Sequence, residues 1–89
     1  MIKMVLNGHE VEVLSSQVIE DAIESELGEL YRIVFKSNIE LERLGYNNGN
    51  IRPLVMKVSV DDKTKIKCSP RLVVENIEDD EVQVLVRIK

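Results

Sequence analysis

The sequence predicts an α+β fold, in which one long amphipathic helix packs on an antiparallel sheet of about five or six strands. Two observations carry this prediction. Apolar residues recur with a helical period between residues 16 and 44, and they recur at every second position on both sides of that segment. A chain of 89 residues suits one domain, 1–89, built around a single core.

Residues 1–14 are predicted to form a β-hairpin around Asn7-Gly8, the dipeptide best suited to a two-residue type I′ turn. The apolar face of the hairpin then pairs Leu6 with His9, Met4 with Val11 and Ile2 with Val13, and the other face pairs Lys3 with Glu12. His9 is the only histidine, and no cysteine or second histidine accompanies it. We therefore expect no metal site there.

The segment 16–44 is predicted to be the helix. Ser15 or Ser16 is a suitable N-cap, and Gly45 stands where a left-handed residue would end the helix. Gly28 is the weak point, because an interior glycine costs about 1 kcal/mol relative to alanine. The apolar residues that form one stripe along this helix are Ile23, Leu27, Leu30, Val34, Leu41 and Leu44.

The predicted helix is too long for its domain. It would measure about 43 Å, whereas a compact domain of this size is roughly 30 Å across. An overhanging apolar stripe would need a partner, so the sequence predicts a homo-oligomer, a dimer above all, with the six stripe residues as its interface. The alternative is that the stripe only covers the sheet of its own chain.

From Pro53 onward the apolar residues alternate, which predicts antiparallel strands through residue 88. A three-residue loop of Asp61, Asp62 and Lys63 would join the first two of these strands. The register that this loop imposes pairs Val60 with Thr64, Val58 with Ile66 and Met56 with Cys68. Cys68 would then face the core, and Lys57 would lie opposite Lys67 on the solvent face.

The composition excludes several classes of function. Net charge is −4, and there is one Phe, two Tyr and no Trp, so the composition argues against general nucleic-acid binding. A single cysteine fits a reducing compartment, and no apolar run is long enough to span a bilayer. These features predict a soluble cytoplasmic protein that does not act at a membrane. No cofactor-binding motif is present, and the acidic run 78–81 lacks the spacing of a calcium loop.

Catalytic residues are not predicted, because no nucleophile stands with a base to activate it. The predicted ligand-binding residues are Lys57, Lys65, Lys67 and Arg71, since like charges directly opposite each other are costly unless an anion joins them. The sequence thus favours a small non-enzymatic protein that binds a nucleotide- or phosphate-bearing small molecule, or an acidic protein, as an accessory or inhibitory factor. The alternatives are a structural protein that assembles through its helix, and lysines that merely protect a sheet edge from aggregation.

Overall fold

A computed structural model describes residues 2–21 and 26–89, and 67% of these residues lie in β-strands. The strands are β1 (Ile2–Leu6), β2 (His9–Glu20), β3 (Glu29–Lys36), β4 (Tyr46–Asn47), β5 (Asn50–Ile51), β6 (Val55–Val60), β7 (Lys63–Cys68), β8 (Leu72–Glu78) and β9 (Glu81–Ile88). One turn of 3₁₀ helix, Leu41–Leu44, lies between β3 and β4. Among the described residues, the strands form an antiparallel sheet in the order β4-β5-β8-β9-β3-β2-β1-β6-β7, and the sheet curls into a half-barrel.

The predicted α+β fold and its long helix are wrong. The described part of the segment 16–44 holds the end of β2, all of β3 and the 3₁₀ turn. Within β3, the buried residues Tyr31, Ile33 and Phe35 alternate with partly exposed ones, which is the period of a strand. Aromatic and β-branched side chains suit this pleated geometry, and β3 is paired on both sides. The apolar residues of this segment therefore fit a helical period as well as the strand period that the structure shows.

Strand β2 links the two halves of the curled sheet. Its first residues pair with β1, whereas the residues from Glu12 onward pair with β3. The register of the second ladder shifts between Val13 and Ser15, and bulges of this kind bend a strand and increase its twist. The two halves therefore face each other across one shared core.

The core lies between these two halves. Its completely buried members include Met4, Leu6, Ile33, Phe35, Met56, Val58 and Val84. Leu44 of the 3₁₀ turn, Ile51 of β5 and Leu72 of β8 close one end, and each of these side chains is also fully buried. No polar or charged residue is buried among the described residues, so apolar packing holds the two halves together.

The predicted β1–β2 hairpin is confirmed near its turn. Leu6 pairs with His9 and Met4 with Val11, as the Asn7-Gly8 turn required. Farther from the turn the prediction is wrong, because the pairing between β1 and β2 ends at Met4 and Val11. Glu12 pairs with Lys36 of β3. The predicted cross-strand pair between Lys3 and Glu12 is therefore not formed.

Candidate functional site: the basic edge strand

Strand β7 lies at one end of the sheet, and its hairpin with β6 has a different register from the one predicted. The loop holds two residues, Asp61 and Asp62, whose φ angles of 48° and 68° are those of a type I′ turn. Val60 consequently pairs with Lys63, the residue that the sequence analysis placed in the loop. The whole of β7 is displaced by one residue relative to the predicted register.

A displacement of one residue moves every side chain of β7 to the other face of the sheet. Lys65 pairs with Val58 and Lys67 with Met56, so Lys63, Lys65 and Lys67 share the face of β6 that packs into the core. Thr64, Ile66 and Cys68 are on the opposite face. Cys68 is exposed, so the prediction that it faces the core is wrong.

The four predicted ligand-binding residues do not form one cluster. Lys57 pairs with Ile66 and is exposed on the face opposite Lys65 and Lys67. Arg71 donates a hydrogen bond from Nε to the Asn50 side-chain oxygen at 3.0 Å, beside β5 at the far end of the strand order. Of the predicted set, only Lys65 and Lys67 remain neighbours.

Lys67 is held by the protein itself. Its Nζ donates a hydrogen bond to the main-chain oxygen of Arg87 at 2.9 Å, across the opening between the two halves of the sheet. Partial burial lowers the pKa of the Lys67 ammonium group, and the nearby charges of Lys65 and Lys89 lower it further. Lys67 thus joins β7 to β9 and is less available than its neighbours to an external anion.

Lys63 and Lys65 border an open cleft of about 270 Å³ whose other lining residues are Glu29, Tyr31, Val60, Asp61 and Ile88. Desolvation, together with the charges and hydrogen bonding of Glu29, raises the pKa of the Tyr31 phenol, and Asp61 adds to the effect. The cleft carries charges of both signs, and its lining is more polar than apolar. Small-molecule sites are usually larger and mainly apolar, so this cleft fits such a ligand poorly.

The outer edge of β7 offers main-chain groups for pairing. Ser69 N–H donates to the Leu54 carbonyl at 2.9 Å, and bonded pairs alternate along an antiparallel ladder. The alternation continues from Ser69 along β7, so the main-chain groups of Lys67, Lys65 and Lys63 also bond to β6. Thr64, Ile66 and Cys68 therefore direct their N–H and C=O groups away from the sheet. Ile66 is also 68% exposed.

The chain matches no protein-family model, no curated protein and no solved structure. The geometry of β7 is therefore the basis for a functional proposal. Sequence reasoning missed Lys63 and Ile66 there, although two consecutive aspartates before Lys63 already favoured a two-residue turn.

The residues predicted as an oligomer interface occupy unrelated positions. Leu44 is fully buried in the core, whereas Leu27 is 65% exposed in a turn. Leu30 and Val34 are partly exposed on β3, and Leu41 packs against the core from the 3₁₀ turn. Ile23 lies outside the described residues. Because no helix joins the five described residues of this set, they do not form the continuous apolar stripe that the sequence predicted.

Metal sites and membrane-spanning helices are both absent from the described ranges. Within residues 2–21 and 26–89, no group of three or more His, Cys, Asp or Glu side chains is arranged to hold a metal ion. The described residues also contain no helix that is long and apolar enough to cross a membrane. On the face opposite the core, Arg32 forms an ion pair with Glu75 at 2.8 Å, and Gln83 donates to the same carboxylate.

Proposed function

We propose that this protein is a non-enzymatic binding protein whose β7 edge takes up an extended, acidic segment of a partner protein. The observation that carries the proposal is that β7 combines outward main-chain groups with lysines at alternate positions. A strand added to β7 would satisfy the outward groups of Thr64 and Ile66. Its side chains opposite Lys63 and Lys65 would lie about 5 Å away, a distance at which opposite charges attract.

A protein segment fits this edge better than a nucleotide does. Main-chain pairing needs an extended peptide, and the neighbouring cleft is smaller and more polar than most sites that hold a small molecule. Acidic side chains complement the two available lysines, while an apolar side chain would cover Ile66. We place this binding in the cytoplasm, in keeping with the unpaired and exposed thiol of Cys68.

The test is binding of a short synthetic peptide of alternating glutamate and isoleucine, measured by calorimetry or fluorescence anisotropy. Replacing Lys63 and Lys65 by glutamine should weaken binding about tenfold, since each exposed pair contributes up to about 1 kcal/mol. Raising the salt concentration should weaken it too, because exposed charges are screened over about 10 Å at 0.1 M salt.

Two controls separate edge pairing from general attraction to charge. Lys57→Gln removes a lysine from the face opposite Lys65, so this variant should bind the peptide as the unmodified protein does. A peptide with lysine in place of glutamate should not bind. Equal affinity of the Lys63→Gln/Lys65→Gln and Lys57→Gln variants would exclude the β7 edge as the binding site.

A further inference from the structure

A second free edge, acidic in character, lies on β8. Strand β5 pairs only with Leu72 and Val73, so the outer side of Asn76–Glu78 has no partner strand among the described residues. The turn that follows contains Asp79 and Asp80 and ends at Glu81. Ile77, in the middle of this free edge, is 41% exposed.

The main chain of Ile77 points outward, as that of Ile66 does. Val74 N–H donates to the Gly49 carbonyl at 2.8 Å, on the side away from β9. Val74 is opposite Val84, and Ile77 is opposite Val82, two residues along β9. Val74 and Ile77 are three residues apart on β8 because the register shifts between Val74 and Asn76. Counted along β9, the bonding pattern repeats every two residues, so Ile77 also directs its N–H and C=O away from β9.

The two free edges are complementary in one antiparallel register. If Ile66 is placed opposite Ile77, both residues contribute outward main-chain groups, which is what a hydrogen-bonded pair requires. In the same register Lys65 lies opposite Glu78, and Lys63 lies opposite Asp80 in the turn after β8. Two pairs of opposite charge therefore lie beside one apolar pair along the joined strands.

We infer that the acidic segment bound by β7 is the β8 edge of a second copy of this chain. The inference rests on the proposed function of β7 and names its partner. Since β7 and β8 are different surfaces, two joined copies would together keep one free β7 edge and one free β8 edge, one on each copy. Such head-to-tail contacts extend into open chains unless the rotation between copies closes a ring.

Symmetric pairing of like edges lacks this complementarity. Two β7 strands paired through Ile66 would set Lys65 opposite Lys67, and two β8 strands paired through Ile77 would set Glu78 opposite the uncharged Asn76. Like charges that face each other across a sheet are destabilising. Only the mixed pair brings opposite charges together.

The first measurement is the mean mass of the purified full chain by sedimentation at increasing concentration, in low and in high salt. Mass should rise with concentration at low salt and fall back when salt is added. Ile66→Pro keeps every lysine but removes an outward N–H at the edge, and it should lower the mean mass. A protein that remains monomeric at about millimolar concentration in low salt would overturn the inference, because that is far above the dissociation constant of a specific contact.

The decisive measurement is a charge exchange. Lys63→Glu/Lys65→Glu and Glu78→Lys/Asp80→Lys should each weaken self-association about tenfold or more, because attraction becomes repulsion at two pairs. Mixed in equal amounts, the two variants should associate again, since each carries the edge that the other lacks. Failure of the mixture to associate would refute the register.

The matched control is a variant in which two lysines outside β7 are replaced by glutamate. Lys3→Glu/Lys57→Glu alters two exposed lysines on neighbouring interior strands, so it should self-associate normally. If the protein stays monomeric but β7 still binds the glutamate–isoleucine peptide, the inference is wrong and the proposed function stands. If neither self-association nor peptide binding occurs, both are wrong.

Discussion

Replacing Gly45 by alanine should destabilise the fold more than the same change at Gly49. Both glycines have positive φ angles, 95° and 76°, in which an alanine is strained by about 1–2 kcal/mol. They differ in the space around them. A Cβ at Gly45 would lie 2.5 Å from the main-chain oxygen of Arg52, whereas a Cβ at Gly49 would meet nothing within 4 Å.

The crowding at Gly45 cannot be relieved by turning a side chain. The obstructing atoms belong to the main chain of Arg52 and Pro53, and Arg52 N–H donates to the Gly45 carbonyl at 2.9 Å. Forcing such a contact apart costs typically about 1–3 kcal/mol beyond the backbone strain. We therefore expect Gly49→Ala to lose about 1–2 kcal/mol and Gly45→Ala to lose about 2–5 kcal/mol.

Urea unfolding followed by circular dichroism would measure the two losses under the same conditions. In a thermal scan, each additional 1 kcal/mol should appear as a further decrease in Tm of about 4–8 °C. Equal destabilisation by the two substitutions would refute the close approach of residues 45 and 52. It would also remove the support for the turn that places Leu44 in the core.

Three further predictions test the fold. Leu44→Ala should cost about 2–5 kcal/mol because its side chain is fully buried, whereas Leu27→Ala, at a 65% exposed residue, should change urea stability by about 0.5 kcal/mol or less. Val55→Cys should form a disulfide with Cys68 under mild oxidation, seen as the loss of both free thiols, because directly opposite residues of a non-bonded pair have Cα atoms about 4.5 Å apart. Glu75→Gln should make the stability less sensitive to acid below pH 4.5. The hydrogen bond from Arg32 lowers the pKa of the Glu75 carboxyl from its usual 4.5. The stabilisation by this carboxylate is therefore present above pH 4.5 and is lost as the pH falls through the lowered pKa.

The sequence by itself determined the features that depend on neighbouring residues. Asn7-Gly8 specified its turn and the two nearest cross-strand pairs, because few residues adopt positive φ angles in succession without strain. The alternating valines of β9 specified a strand with one buried face. In both places, the signal and its structural consequence lie within about ten residues.

Tertiary structure decided the segment 16–44 and the face of β7. The segment carried both a helical and a strand period, and the strand prevailed because β3 pairs with β9, whose residues are about fifty positions away in sequence. The lysines of β7 were recognisable in the sequence, but a turn of two residues instead of three changed the face on which they lie. The free edges of β7 and β8 follow from the order of strands in the folded sheet, since a strand becomes an edge only when no other strand lies beside it.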